Sequence, residues 1–270
     1  MWSLGLVTVL VSCAVHVTIA KPIIDARHWH WNGPAKAAEY IGHGKKVAIG
    51  TSSKCDLSQA SMPQGEKDPS LHSASSTDPR IAPTPLPSPA SGLSLSHVAI
   101  GRGTQNYTCD LSNSTAVPVA VGAVASLFNV SCLAVESPDL VSAIPPIALD
   151  LPVPSSDSSK DPSYFDLSGY HYFLNTTTAF FNLDTSAHTY GMGAFKKANQ
   201  TSPPTNAMAG PNGSGNGAVA WLKLSSIDGE GQVFQEVYRL NTAGGNPPKT
   251  CAGQQAAFEV PYAAEYWLYT

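Results

Sequence analysis

In Leu93-Ser94-Leu95-Ser96-His97-Val98-Ala99-Ile100-Gly101-Arg102-Gly103-Thr104-Gln105-Asn106-Tyr107-Thr108-Cys109, the residues Leu93, Leu95, Val98 and Ile100 form one strand-like run and Gln105 to Cys109 form another. Between them, Ile100-Gly101-Arg102-Gly103 resembles the opening of a dinucleotide-binding turn. That turn requires a third glycine where Asn106 stands, and then a helix whose N-terminus faces the pyrophosphate. The chain continues instead with the β-type Asn106-Tyr107-Thr108-Cys109, and no Walker lysine motif occurs in it. NAD and ATP are therefore not expected ligands. Gly101 and Gly103 are read as a tight turn between two strands.

The same texture recurs outward from this stretch. Val117 to Phe128, Tyr170 to Phe181, Ala218 to Leu224, Val233 to Leu240, and Phe258 to Tyr269 (broken at Pro261) are rich in Val, Tyr, Phe and Thr and bounded by Gly, Pro, Asn and Ser. They predict an all-β fold, a single β-sandwich or barrel-like domain with long Pro/Gly/Ser-rich loops. Residues 134–163 read as such a loop, with at most one short turn of helix, and 199–217 as a Gly/Asn/Pro tract. There is no internal repeat and no heptad.

The N-terminal region has a different character. Residues 1–20 carry no charge, run apolar from Leu4 to Val15 and end in Thr18-Ile19-Ala20, which reads as a cleaved secretory signal. Residues 21–54 are an N-terminal extension containing His28-Trp29-His30-Trp31. Residues 55–270 form the β domain, interrupted at about 60–91 by a Pro/Ser-rich insertion whose prolines cannot enter a sheet ladder. Beyond Cys13 of the signal, Cys55, Cys109, Cys132 and Cys251 are an even set without CxxC spacing, suited to two disulfides in any of three connectivities. Six sequons, at Asn106, Asn113, Asn129, Asn175, Asn199 and Asn212, predict a glycoprotein. The expected location is extracellular, with the cell wall as one setting and no membrane association after signal cleavage. Fifteen Lys+Arg against 19 Asp+Glu, a net charge of -4, argue against a nucleic-acid partner.

Chemistry is less sharply marked. His28 and His30, spaced i, i+2, are weak metal candidates that need a third ligand such as His43 or His171; no metal or other cofactor is assigned. There is no Gly-x-Ser-x-Gly elbow. A glycosidase needs two carboxylates about 5–10 Å apart, and spacing selects no pair among Asp166, Asp184, Asp228, Glu230, Glu236, Glu259 and Glu265. The most unusual stretch is Glu236 to Pro248. Strict alternation puts Val237, Arg239 and Asn241 on one face, where a planar guanidinium beside Asn241 suits a carboxylate or a sugar. The competing reading pairs Arg239 with an acid such as Glu265. His171 and Tyr172 join Arg239 and Asn241 as candidate polar contacts, with Trp221 as a stacking surface for a sugar ring.

Gly101 to Cys109, Ala123 to Cys132, His171-Tyr172-Phe173, Ala220 to Leu224, Tyr238 to Pro248 and Val260 to Tyr269 together resemble the DUF3455 family of secreted fungal and bacterial proteins, from about Cys55 to Thr270. Fungal members of the family often carry the label malate dehydrogenase; this chain has no Rossmann fingerprint to support it, and such an activity is not expected. Bacterial relatives keep counterparts of Cys109 and Cys251, so the resemblance implies Cys109–Cys251 with Cys55–Cys132. The functional expectation is a secreted glycoprotein that binds a saccharide, such as cell-wall glycan, or another small polar ligand. The alternatives are an extracellular hydrolase or His-metal oxidoreductase, and a structural wall protein.

Overall fold

The structure is a computed structural model. It describes residues 55–63, 82–151, 167–227, 229 and 231–270. The signal, the extension with His28, His30 and His43, and most of the insertion lie outside the described residues.

Eight strands close into a barrel: β1 (Leu95–Thr108), β2 (Val119–Asn129), β3 (Leu167–Asn175), β4 (Thr178–Asp184), β5 (Thr189–Thr201), β6 (Trp221–Ser226), β7 (Glu236–Gly244) and β8 (Ala257–Tyr269). Each runs antiparallel to the next, and β8 returns to β1 from Leu95↔Tyr269 to Thr108↔Ala257. Closure gives every strand a neighbour on both sides over at least part of its length. Of the two all-β architectures expected, the barrel is the one formed. Between β2 and β3 lie α1 (Ser131–Glu136) and α2 (Pro138–Asp150), the latter packed on the outside of the wall.

The two runs read from Leu93 to Cys109 are one strand, β1, and Gly101 and Gly103 do not turn it. They thin it. A Cβ on Gly101 would stand 2.4 Å from the Tyr266 ring, and one on Gly103 would stand 1.8 Å from the Val124 carbonyl oxygen. Only glycine permits that approach. Pro261 does not break β8 either: it pairs with Thr104 of β1, one residue past Tyr262, where the register with β7 ends.

Alternation along the strands separates two cores. Ala99, Leu127, Phe181, Phe195, Leu224, Val237, Tyr262, Tyr266 and Leu268 point inward and fill the barrel. Val98, Ile100, Phe128, Tyr238, Leu240 and Trp267 point outward, and are covered by Val141, Ile144, Ala148 and Leu149 of α2. The 13-residue α2 replaces the loop expected there, and it forms despite Pro145 and Pro146 inside it. Arg102 of β1 closes its C-terminal end, donating from Nε to the Ala148 carbonyl at 3.0 Å and from Nη2 to the Leu149 carbonyl at 3.4 Å. A cation at that end also suits the helix dipole.

The C-terminal part of the Pro-rich tract is extended, as its prolines require, and is fastened to the wall. Ala82 and Leu86 are buried; Tyr238 Oη donates to the Pro87 carbonyl, and Lys223 Nζ donates to that of Ser88. The disulfides join Cys55 to Cys132 and Cys109 to Cys251, the pairing that the family resemblance implies. Closing loops of 77 and 142 residues stabilises the fold by roughly 4–5 kcal/mol each on loop entropy.

Candidate functional site

Beyond Ala179↔Phe195, its last pair with β4, β5 continues beside β6 alone. There its inward face carries Lys197, opposite Leu224, and after a bulge Gln200, opposite Leu222. Both side chains are exposed, and Lys197 Nζ donates to Gln200 Oε1 at 2.9 Å. Inward-facing yet exposed positions mark this end of the barrel as open to solvent.

Beneath that opening lies Arg239, 9% exposed, on the same row as Gln200 and Leu222 and opposite Tyr266. Its Nε and Nη2 both donate to the Ala220 carbonyl, at 3.2 and 2.8 Å, and its guanidinium lies close to the Tyr266 hydroxyl. One edge of the cation is thus held by the protein. The reading that pairs Arg239 with Glu265 is corrected here: Glu265 lies on the opposite face of the wall. It accepts from Asn241 Nδ2 and from Trp267 Nε1, each at 2.6 Å.

His171 of β3 also points inward, facing Ala125 and Phe181 across the strands. Its ring stacks on Phe181 at 4.2 Å and lies 5.9 Å from Tyr266. Nδ1 bonds the Phe180 carbonyl, which makes it the protonated nitrogen. Burial, with Arg239 nearby, pushes its pKa down to about 4, so the imidazole is neutral in ordinary conditions. The Tyr262 and Tyr266 hydroxyls share a hydrogen bond of 3.0 Å, and burial raises both above the usual phenol range.

Gln105 completes this inner surface. It follows Gly103 on the inward face of β1 and packs beside Gly245, and its Nε2 is buried without a partner among the described residues. Tyr107 spends its hydroxyl on the Gly245 carbonyl.

Of the five residues singled out in the sequence, the barrel brings together Arg239 and His171. Asn241 sits on a bulge with φ 45 and turns to Glu265 on the outside. Tyr172 is half-buried on the outer wall against Phe180. Trp221 is fully buried in the outer core, so it offers no stacking surface. Gln105, Lys197 and Gln200 were not anticipated. Their polar character at inward positions was the available signal, but it becomes visible only once the strand faces are known.

Asp166, Asp228 and Glu230 lie outside the described residues, and among the described residues the carboxylates are not gathered. Glu236 is paired with Lys223, Glu265 lies under the outer core, Asp184 accepts from the Gly191 amide, and Glu259 is exposed opposite Asn106. Among the described residues no three His, Cys, Asp or Glu converge on a metal-sized site, and no helix is long and apolar enough to cross a membrane. Asn113, Asn175, Asn199 and Asn212 are exposed. Asn106 and Asn129 are half-buried: Asn106 accepts from Thr104, and Asn129 accepts from the Ser131 amide.

No curated protein and no solved structure matches the chain. The family model described as "Protein of unknown function (DUF3455)" matches residues 89–270, which takes in every strand of the barrel and both ends of the inner polar surface. The chain therefore belongs to the DUF3455 family.

Proposed function

We propose that this protein is a secreted glycoprotein whose barrel binds a saccharide or other small polar ligand at its solvent-open end, with cell-wall glycan as the source of that ligand. The observation that carries the reading is the buried Arg239, facing His171 and Tyr266 beneath an opening rimmed by Lys197 and Gln200. Eight-stranded barrels are wide enough either to fill with side chains or to hold one small ligand. Here Phe181, Phe195, Tyr262 and Tyr266 fill the interior, and polar groups gather toward the open end. Such placement suits recognition from the mouth. Two disulfides fit an oxidising compartment, and four exposed sequons fit a glycosylated exterior.

The test is a glycan array probed with mature protein and with Arg239→Ala. Binding should fall at least tenfold in the variant while its β-sheet circular dichroism is unchanged. Unaltered binding would remove Arg239 from the site.

A further inference from the structure

We infer that the end of the ligand recognised at the barrel mouth is a carboxylate, held by Arg239 and drawn in by Lys197. This inference rests on the binding reading above and narrows it to one ligand chemistry.

The argument is one of charge and hydrogen-bond type. The inward positions toward the open end include Gln105 on β1, His171 on β3, Lys197 and Gln200 on β5 and Arg239 on β7, with Tyr262 and Tyr266 of β8 beneath them. Two are cations and none is a carboxylate. The acids of the same wall, Glu236 and Glu265, face outward and are already engaged. Arg239 is thus a buried cation with no carboxylate partner among the described residues. An uncompensated buried charge is costly, and an anion beside it offsets that cost.

Of the neutral groups, Gln105 agrees with the charges, while His171, protonated on Nδ1, presents an acceptor at Nε2 that suits a hydroxyl of the same ligand. The unpartnered nitrogen of Gln105 is a donor. The two bonds to Ala220 engage Nε and Nη2 and fix the plane of the guanidinium, while Nη1 takes no part in them. A guanidinium edge matches the two oxygens of a carboxylate, which accept and cannot donate. A neutral sugar brings hydroxyl donors as well and leaves the cation uncompensated. Lys197 at the rim adds attraction at longer range.

Calorimetric titration of the disulfide-intact secreted protein with matched pairs, glucuronate against glucose and galacturonate against galactose, tests this directly, with glucose 6-phosphate as a third arm. The acid of each pair should bind at least tenfold more tightly than its neutral partner. Lys197→Glu lies on the exposed stretch of β5 and should keep the fold; it should weaken the acid about tenfold and spare the neutral sugar. Lys196→Glu makes the same charge change on the outward face, opposite Ser225, and should change affinity less than twofold. Arg239→Lys keeps the charge and loses the flat edge, and should weaken the acid about tenfold. Equal binding of acid and neutral sugar, with no effect of Lys197→Glu, would overturn the carboxylate assignment and leave the binding reading standing. Tighter binding of the phosphate than of either acid would overturn it in favour of a phosphate. No binding of any of the five would overturn both.

Discussion

Asn241 is held in the left-handed region at φ 45, while its Nδ2 donates to Glu265 Oε2 at 2.6 Å. The two effects oppose one another. The conformation costs a residue with a Cβ about 1–2 kcal/mol, and at pH 8, where the Glu265 carboxyl is ionised, a hydrogen bond to it contributes about 1.5–3 kcal/mol. Asn241→Gly removes the bond and relaxes the backbone, whereas Asn241→Ala removes the bond and keeps the strain. Both variants should be less stable than the parent by urea denaturation, the alanine one by about 1 kcal/mol more. Equal stabilities would mean that the backbone is unstrained there. The same bulge explains why the site was half legible in the sequence. Strict alternation holds from Glu236 to Leu240 and correctly puts Val237 and Arg239 on one face. It fails at Asn241, where an irregularity in the β7–β8 register sends the side chain outward. A one-residue slip of this kind exchanges the two faces, and its one hint in the sequence is Asn241 itself, since asparagine tolerates the left-handed region.

At the scale of the element, the strands with β-branched and aromatic residues were legible and β5 was not. Its sequence, Thr189 to Thr201, has glycine at 191 and 193 and then five exposed residues. The glycines leave room for neighbours: a Cβ on Gly191 would lie 2.6 Å from Val233, and one on Gly193 would lie 2.8 Å from the Phe195 ring. The rest of the strand projects past β4 into solvent, so neither half shows the apolar alternation that marks a wall strand. Helix α2 was hidden for a different reason. Two interior prolines argue against a helix, and packing of Val141, Ile144, Ala148 and Leu149 on the barrel overrides that preference. The Pro-rich strap at 82–90 rests on a buried ion pair, Lys223 to Glu236 at 3.0 Å, which also receives the Ala90 amide. Lys223→Met strands Glu236 and releases the Ser88 carbonyl, and should cost about 3–5 kcal/mol. Adding Glu236→Leu should restore most of that loss, and limited proteolysis within 82–90 should follow the same order. A double variant as unstable as the single one would place the stabilisation in the strap contacts and not in the charges.

For the whole molecule, three buried titratable groups on separate strands set the dependence of stability on pH. Burial, with His188 nearby, pushes His97 down to about 3, and burial pushes His171 down to about 4. Both start from 6.5, so the stability they contribute is present above 6.5 and is lost as pH falls toward those folded values. Glu265 runs the other way. Burial raises it from 4.5 to about 7, against the hydrogen bonds from Asn241 and Trp267. Its contribution is full below 4.5 and is lost as pH rises through 7. Between pH 4.5 and 6.5 the unfolded chain therefore holds two more imidazole protons and one fewer carboxyl proton than the fold. The net difference of one proton makes stability rise by about 1.4 kcal/mol per pH unit in that window. Glu265→Gln deletes the opposing member of the set, so its slope there should be about twice as steep. The decline of the parent through pH 7 should vanish in the variant. Urea midpoints at pH 5, 6, 7 and 8 for the two proteins measure both effects. Parallel profiles would mean that Glu265 keeps an ordinary carboxyl pKa, and hence that the outer core admits water beneath α2. Divergence would tie the closed barrel to its outer layer, since the charge of Glu265 is costly only while helix, strap and wall stay together.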